Sequence, residues 1–157
     1  MGLFKKSDDA EKSYKEAKIL SDPSRKAFDT EAALLLLEKA VTLKPLEEKY
    51  SAALERLRKL KTSLDEEFLS KVVDFVHISG RGTVLIVVID QGFVGLGEKI
   101  LIKGSLRDIT AKVISIEQNA RILDYACIGD EAGLLLKDVA MDDLRDVLPG
   151  NMVEKFK

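Results

Sequence analysis

"FVHISGRGTVLIVVIDQGFVGLGEKILIKG" occupies residues 75–104, and its reading decides the fold. Thr83 to Ile89 is a β-branched and aliphatic run, too short for a lone helix and rich in strand formers. Gly80 and Gly82 flank Arg81 just before it. Glycine tolerates positive φ, so the pair predicts a sharp chain reversal there. Gln91-Gly92, Gly95 and Gly97 predict further turns, and Ile100-Leu101-Ile102 another strand. The segment is apolar and glycine-punctuated, with no obvious catalytic group. It reads as strands of a binding module, with its glycines structural.

The same pattern extends in both directions. Val72-Val73 and Phe75-Val76 lead into the Gly80-Arg81-Gly82 kink. Downstream, 109–116, 124–128 and 134–136 read as strands separated by turn residues, and Pro149-Gly150 precedes a last strand near Met152-Val153. Leu134-Leu135-Leu136 forms a continuous apolar run, expected in a wall buried beneath the helical half. Many short strands with regular turns predict a sandwich or barrel.

Before Phe68 the period is helical. Ala10, Tyr14, Ala17 and Leu20 recur at helical spacing, and Ser21-Asp22-Pro23 ends that helix, because the residue before proline is pushed out of the α region. Asp29 is placed to cap a second helix, 30–44, by accepting from free backbone N–H groups. Leu34, Leu35, Leu36 and Leu37 would cover every side of it, so burial on more than one face is expected. After Pro45, a third helix carries the stripe Leu46, Tyr50, Ala53, Leu57, Leu60 and Leu64. Its opposite face, with Glu47, Glu48, Lys49, Glu55, Arg56, Arg58, Lys59 and Lys61, reads as solvated.

Composition bounds what such a chain does. It has 157 residues, 46% hydrophobic and 33% charged, enough for a core with a polar surface. With 25 basic and 27 acidic side chains the net charge is −2, which gives no global attraction for nucleic acid. One cysteine, Cys127, excludes an intramolecular disulfide and suits a reducing cytosol. No apolar run approaches the roughly 20 residues of a membrane span. The start, Met1-Gly2-Leu3-Phe4-Lys5-Lys6-Ser7, places Lys6 where myristoylation wants Ser or Thr, and it lacks a secretory apolar core. A solvated terminus is the expectation, with a membrane-surface role for Leu3, Phe4, Lys5 and Lys6 the alternative.

The segments "ISGRGTV", "GEKILIKG", "ISIE", "IGDEAGLLLKDV" and "DDLRDVLPGNMV" come in an order and at a spacing that resemble the second domain of translational GTPases of the elongation factor Tu type. The resemblance covers roughly residues 73–153 and runs without a gap from Gly80 to Leu136. It implies a small antiparallel barrel whose surface, in that family, helps hold the 3′ end of aminoacyl-tRNA. Glu117 falls on the family's glutamate near the terminal adenosine, and Asp74 on an acidic residue of the amino-acid pocket. Val73 stands in place of an acidic residue, Val76 of an aromatic, Ile86 of a threonine, Val87 of a glycine and Glu131 of an asparagine. The polar pocket is thereby mostly replaced by apolar groups, which suit side chains or helices better than a charged tRNA end. In the helical half, "DTEAALLLLEKAVTLKP", residues 29–45, resembles the second half of a tetratricopeptide repeat, with Ala33, Leu37, Ala40 and Pro45 on its packing positions. One repeat cannot form a solenoid, so a helical hairpin plus a third helix is expected.

Catalytic alternatives fail on pattern. There is no G-x-x-x-x-G-K-[ST] loop, and the 92–97 glycine run lacks its lysine. His77, Ser79 and Asp74 lack the G-x-S-x-G form that acyl transfer requires. One Cys and one His cannot build a structural zinc site. Asp138, Asp142, Asp143 and Asp146 lack calcium-loop spacing, and Asp142 is expected to cap a short helical turn. Arg81, with Arg107 and Lys112 elsewhere in the β half, is placed to pair with a phosphate or carboxylate, or to hold its own turn.

The sequence therefore predicts an α+β protein: a three-helix bundle over 1–67, then a translation-factor-like antiparallel β-barrel over 68–157. It predicts a non-enzymatic cytoplasmic adaptor that needs no cofactor or metal and binds a protein partner around Asp74, Val76, Arg81, Ile86 and Glu117. The competing reading is an RNA or tRNA-end binder associated with translation.

Overall fold

A computed structural model describes residues 2–157, with side chains from Lys5 onward. The expectations for Met1, Leu3 and Phe4 concern side chains outside those described. The protein is α+β with its helices first, and it divides into two compact units, Met1–Lys61 and Thr62–Lys157.

The first unit holds α1 (Gly2–Leu20), α2 (Thr30–Leu43) and α3 (Glu48–Ser63), the last turn of which crosses the boundary. Ala10, Ala17, Ala33 and Ala40 are fully buried, and small side chains of this kind let helix backbones approach closely. Beyond α1, Asp22 accepts hydrogen bonds from Ser24 N (2.9 Å), Ser24 Oγ (2.7 Å) and Arg25 Nε (3.1 Å), which fixes the turn that ends the helix. Asp29 Oδ1 accepts from Ala32 N at 3.0 Å, the cap its position predicts for α2.

Two helical expectations need correction. In α2 the buried residues are Ala33, Leu37 and Ala40, a single stripe, and Leu35 is 68% exposed. Four successive leucines step by 100° each, so an element packed on one side leaves one of them in water. Leu46, expected to begin the α3 stripe, precedes the helix and is 96% exposed, while Leu54 is buried beside Tyr50, Leu57 and Leu60. The charged face of α3 is solvated as expected, apart from a half-buried Arg56.

Near the start of α3, Glu11 of α1 accepts from both Lys49 Nζ and Tyr50 Oη at 2.7 Å. Tyr14 lies against Tyr50, ring centroids 5.2 Å apart. Lys49 Nζ sits 5.3 Å and 5.2 Å from the two ring centres. Burial first, and donation to Glu11 second, push the Tyr50 hydroxyl up to about 12. The Lys49 ammonium and that hydroxyl hold Glu11 below the usual carboxylate value.

The second unit is antiparallel throughout. Its strands are β1 (Leu69–Ile78), β2 (Gly82–Gln91), β3 (Phe93–Gly95), β4 (Lys99–Ile102), β5 (Ile109–Gln118), β6 (Arg121–Leu123), β7 (Tyr125–Cys127), β8 (Glu131–Leu136) and β9 (Met152–Lys155). One sheet has the order β4-β9-β1-β2-β8-β5-β6, and β4 also pairs with β5. Six strands thus form a hydrogen-bonded ring, with β6 attached to β5; β3 and β7 pair separately. Inward residues alternate along the strands: Leu85, Val87 and Ile89 on β2, Ile100 and Ile102 on β4, and Leu134 and Leu136 on β8, joined by Phe68, Val94, Val113, Ile116 and Val153. Leu134-Leu135-Leu136 is therefore not a continuous buried wall. Leu135 turns outward and is half-buried.

Gly92 links β2 to β3 at φ +72°, where a Cβ would stand 2.7 Å from the Glu67 carbonyl oxygen and 2.8 Å from Phe68 Cα. Only glycine fits so close a backbone crossing in the left-handed region. The acidic turn holds a short 3-10 helix, Met141–Leu144, capped differently from expectation: Asp143 Oδ2, not Asp142, accepts from Ala140 N at 2.8 Å. Among the described residues no helix is long and apolar enough to cross a membrane.

Candidate functional site

The strand register decides which side chains share a surface. Asp74 pairs with Ile86, Ile86 with Gly133, Gly133 with Glu117, and Glu117 with Ile122. One row thus crosses β1, β2, β8, β5 and β6. A second row, Val76–Val84–Leu135–Ser115, runs beside it. Directly paired residues project from the same face. The fully buried Leu85 and Val87 define the inward face, so both rows lie outward.

Asp74, Val76, Ile86 and Glu117 consequently stand on one outer face, and Arg81 reaches it from the β1–β2 turn through an ion pair with Glu117. Asp74 and Glu117 are three strand spacings apart, roughly 14 Å along the sheet. Arg81 donates to a carboxylate, not to the carbonyls of its own turn, and holds the Glu117 carboxyl below its ordinary value. Gly80 and Gly82 take φ +79° and +126°, the reversal their sequence predicts. Val87 points inward, fully buried, and is not part of the face.

At the centre of the first row, Gly133 leaves no side chain. A Cβ there would meet Val84 Cγ1 at 2.9 Å, so the face is shallow between Ile86 and Glu117. Around that gap the surface is apolar: Val76 is 37% exposed, Ile114 46% and Ile122 76%, with Val84, Ile86 and Leu135 half-buried. Ile122 and Ile114 escaped the sequence reading. Ile122 lies on β6, which carries no glycine signal at its turn, and Ile114 lies where the β5–β8 register slips between Val113 and Ser115.

His77 and Ser79 are exposed, with no hydrogen bond between them among the described residues. Cys127 is buried, and its backbone N–H donates to Asp130 Oδ2 at 2.9 Å. Among the described residues no three His, Cys, Asp or Glu side chains are grouped to hold a metal ion. A separate cleft of about 460 Å³ is lined by Glu66, Glu67, Phe68, Leu101, Phe156 and neighbours. Its lysines are already paired: Lys157 Nζ lies 2.6 Å from Glu67 within the cleft, and Lys155 Nζ lies 3.2 Å from Glu98 beyond it. No protein-family model matches the chain.

Proposed function

We propose that the protein is a non-enzymatic adaptor whose second unit is a small translation-factor-like β-barrel that binds a protein partner on the outer face of β1, β2, β8, β5 and β6. One observation carries the reading: exposed apolar side chains, Val76, Ile114 and Ile122, spread across one strand face whose only cation from the β1–β2 turn, Arg81, is already committed to Glu117. Patches of that kind mark interaction surfaces. Burying what remains exposed of these three side chains contributes roughly 2–5 kcal/mol in all, a part of what an interface needs. Asp74 puts a negative charge on this face, which works against a phosphate backbone.

The test is a comparison of the whole protein with Ile122→Asp and Val76→Asp in pull-downs from native lysate, with and without ribonuclease. The expected result is a protein partner retained after ribonuclease and lost with both variants. Binding of aminoacyl-tRNA whose affinity falls several-fold between low and physiological salt, unaffected by either substitution, overturns the proposal in favour of a translation role.

A further inference from the structure

The ring has a one-sided stretch. β9 pairs with β1 only at Leu69–Lys71, and the last links are Val72 N to Asn151 O (2.9 Å) and Gly150 N to Val72 O (2.8 Å). β2 stays paired with β1 as far as Ile78. Beyond Val72, then, no described strand pairs with the other edge of β1. The direction of its backbone groups follows from the ladders. Ile89 exchanges bonds with Asp130 and Gly129 on the β8 side (2.9 Å each), so odd-numbered residues of β2 face β8 and even-numbered ones face β1. Val84 and Ile86 are the partners of Val76 and Asp74, which leaves Phe75 and His77 presenting N–H and C=O to the open edge. The slip between Val72 and Asp74 accounts for Val73 as the extra residue of a bulge.

The Phe75 N–H confirms that direction, because it donates to Asp74 Oδ1 at 2.8 Å and not into the β2 ladder. Asp74 therefore shields one of the two outward donors. It is exposed and has no cation partner among the described residues. Neither proline nor lysine blunts this edge.

We infer that the β1 edge from Phe75 to Ile78 takes an extended peptide as an added strand, selecting one whose Lys or Arg draws the Asp74 carboxylate off the Phe75 N–H. The peptide carbonyl then accepts from Phe75, and its own N–H groups donate to Phe75 O and His77 O. With the cation beside Asp74, the residue two positions further along lies beside Val76, so an aliphatic side chain there extends the apolar face. The inference rests on the adaptor reading and adds the partner's local conformation and charge.

The probe is a blocked pentapeptide, Val-Thr-Arg-Thr-Val, titrated to millimolar concentration into the isotope-labelled full chain. Expected are amide shifts and slowed hydrogen exchange at Phe75 and His77. Binding should be abolished by N-methylation of the peptide in one alternating frame and retained in the other. Replacing the peptide Arg by Glu should weaken binding at least tenfold on the native protein and by less than threefold on Asp74→Asn. Absence of shifts at Phe75 and His77, or equal binding of the Arg and Glu peptides, overturns the inference. His77→Pro removes an outward N–H without touching the β2 ladder. A protein partner that tolerates His77→Pro but is lost with Ile122→Asp sinks the edge inference and leaves the adaptor reading standing.

Discussion

Replacing Gly92 by alanine tests the second unit at a close backbone crossing made in the left-handed region. Two costs add. The left-handed conformation at φ +72° costs an L-residue roughly 1–2 kcal/mol. The new methyl carbon would stand 2.7–2.8 Å from the Glu67 carbonyl group and Phe68 Cα, backbone atoms with no rotamer to escape into. Relieving that contact shifts the chain, at about 1–3 kcal/mol. A loss of about 3 kcal/mol should lower Tm by roughly 12–24 °C for a unit of this size. Gly129→Ala is the control, because it sits at φ +86° with nothing within 4 Å of its would-be Cβ and so bears the conformational cost alone. The entropy that alanine removes from the unfolded chain is common to both variants and cancels. Methyl resonances of Leu85 and Val94 should be followed during denaturant titration, so that the strands are read separately from the helices. If Gly92→Ala is no more than a few tenths of a kcal/mol worse than Gly129→Ala, the close crossing is not as described.

Leu35→Asp should be nearly neutral, whereas Leu37→Ala, at a site 2% exposed, should cost about 2–5 kcal/mol in urea melts followed by helical circular dichroism. The helices should lose stability as pH rises from about 10 through about 12. The fold holds the Tyr50 hydroxyl protonated, so its contribution is complete below the unfolded value near 10 and disappears as the folded group ionises; Tyr50→Phe should remove that part of the alkaline transition. Gly82→Val, at φ +126°, should destabilise by on the order of 1–3 kcal/mol, while Arg81→Ala should leave the melt nearly unchanged, because its pair with Glu117 is solvent-exposed. Calorimetry with GTP and ATP should detect no micromolar binding, since the chain lacks a phosphate loop.

The sequence carries the helices well because their signals are local: Asp29 as a cap, the Asp22-Pro23 stop and alanines at packing spacing all act within a turn or two. It carries Leu35 badly, since a run of four leucines records hydrophobicity without saying which side meets the core. Among the strands, β6 is invisible for a specific reason. Its hairpin with β5 turns at Asn119 and Ala120, φ 50° and 62°, and alanine gives no hint of a left-handed residue. The β3–β7 pair joins residues some thirty positions apart; β7 falls inside the strand predicted over 124–128, whereas Phe93–Gly95 lies among glycines that read only as turns. The five candidate site residues do converge on one face. Its largest exposed group, Ile122, lies on the strand the pattern hides.

β9 has a consequence for how the second unit comes together. The ring runs β4-β9-β1, so the strand nearest its end in sequence bridges the first strand and the fourth. Nothing local rewards that bridging. Until residues 152–155 are available, β1 and β4 each keep an unsatisfied side, and the chain is an open sheet with two adhesive margins. Closure joins residues roughly eighty positions apart, so the unit should fold more slowly than the locally connected helices before it. Chains cut before Met152 should gather into aggregates through those margins rather than persist as a smaller folded form.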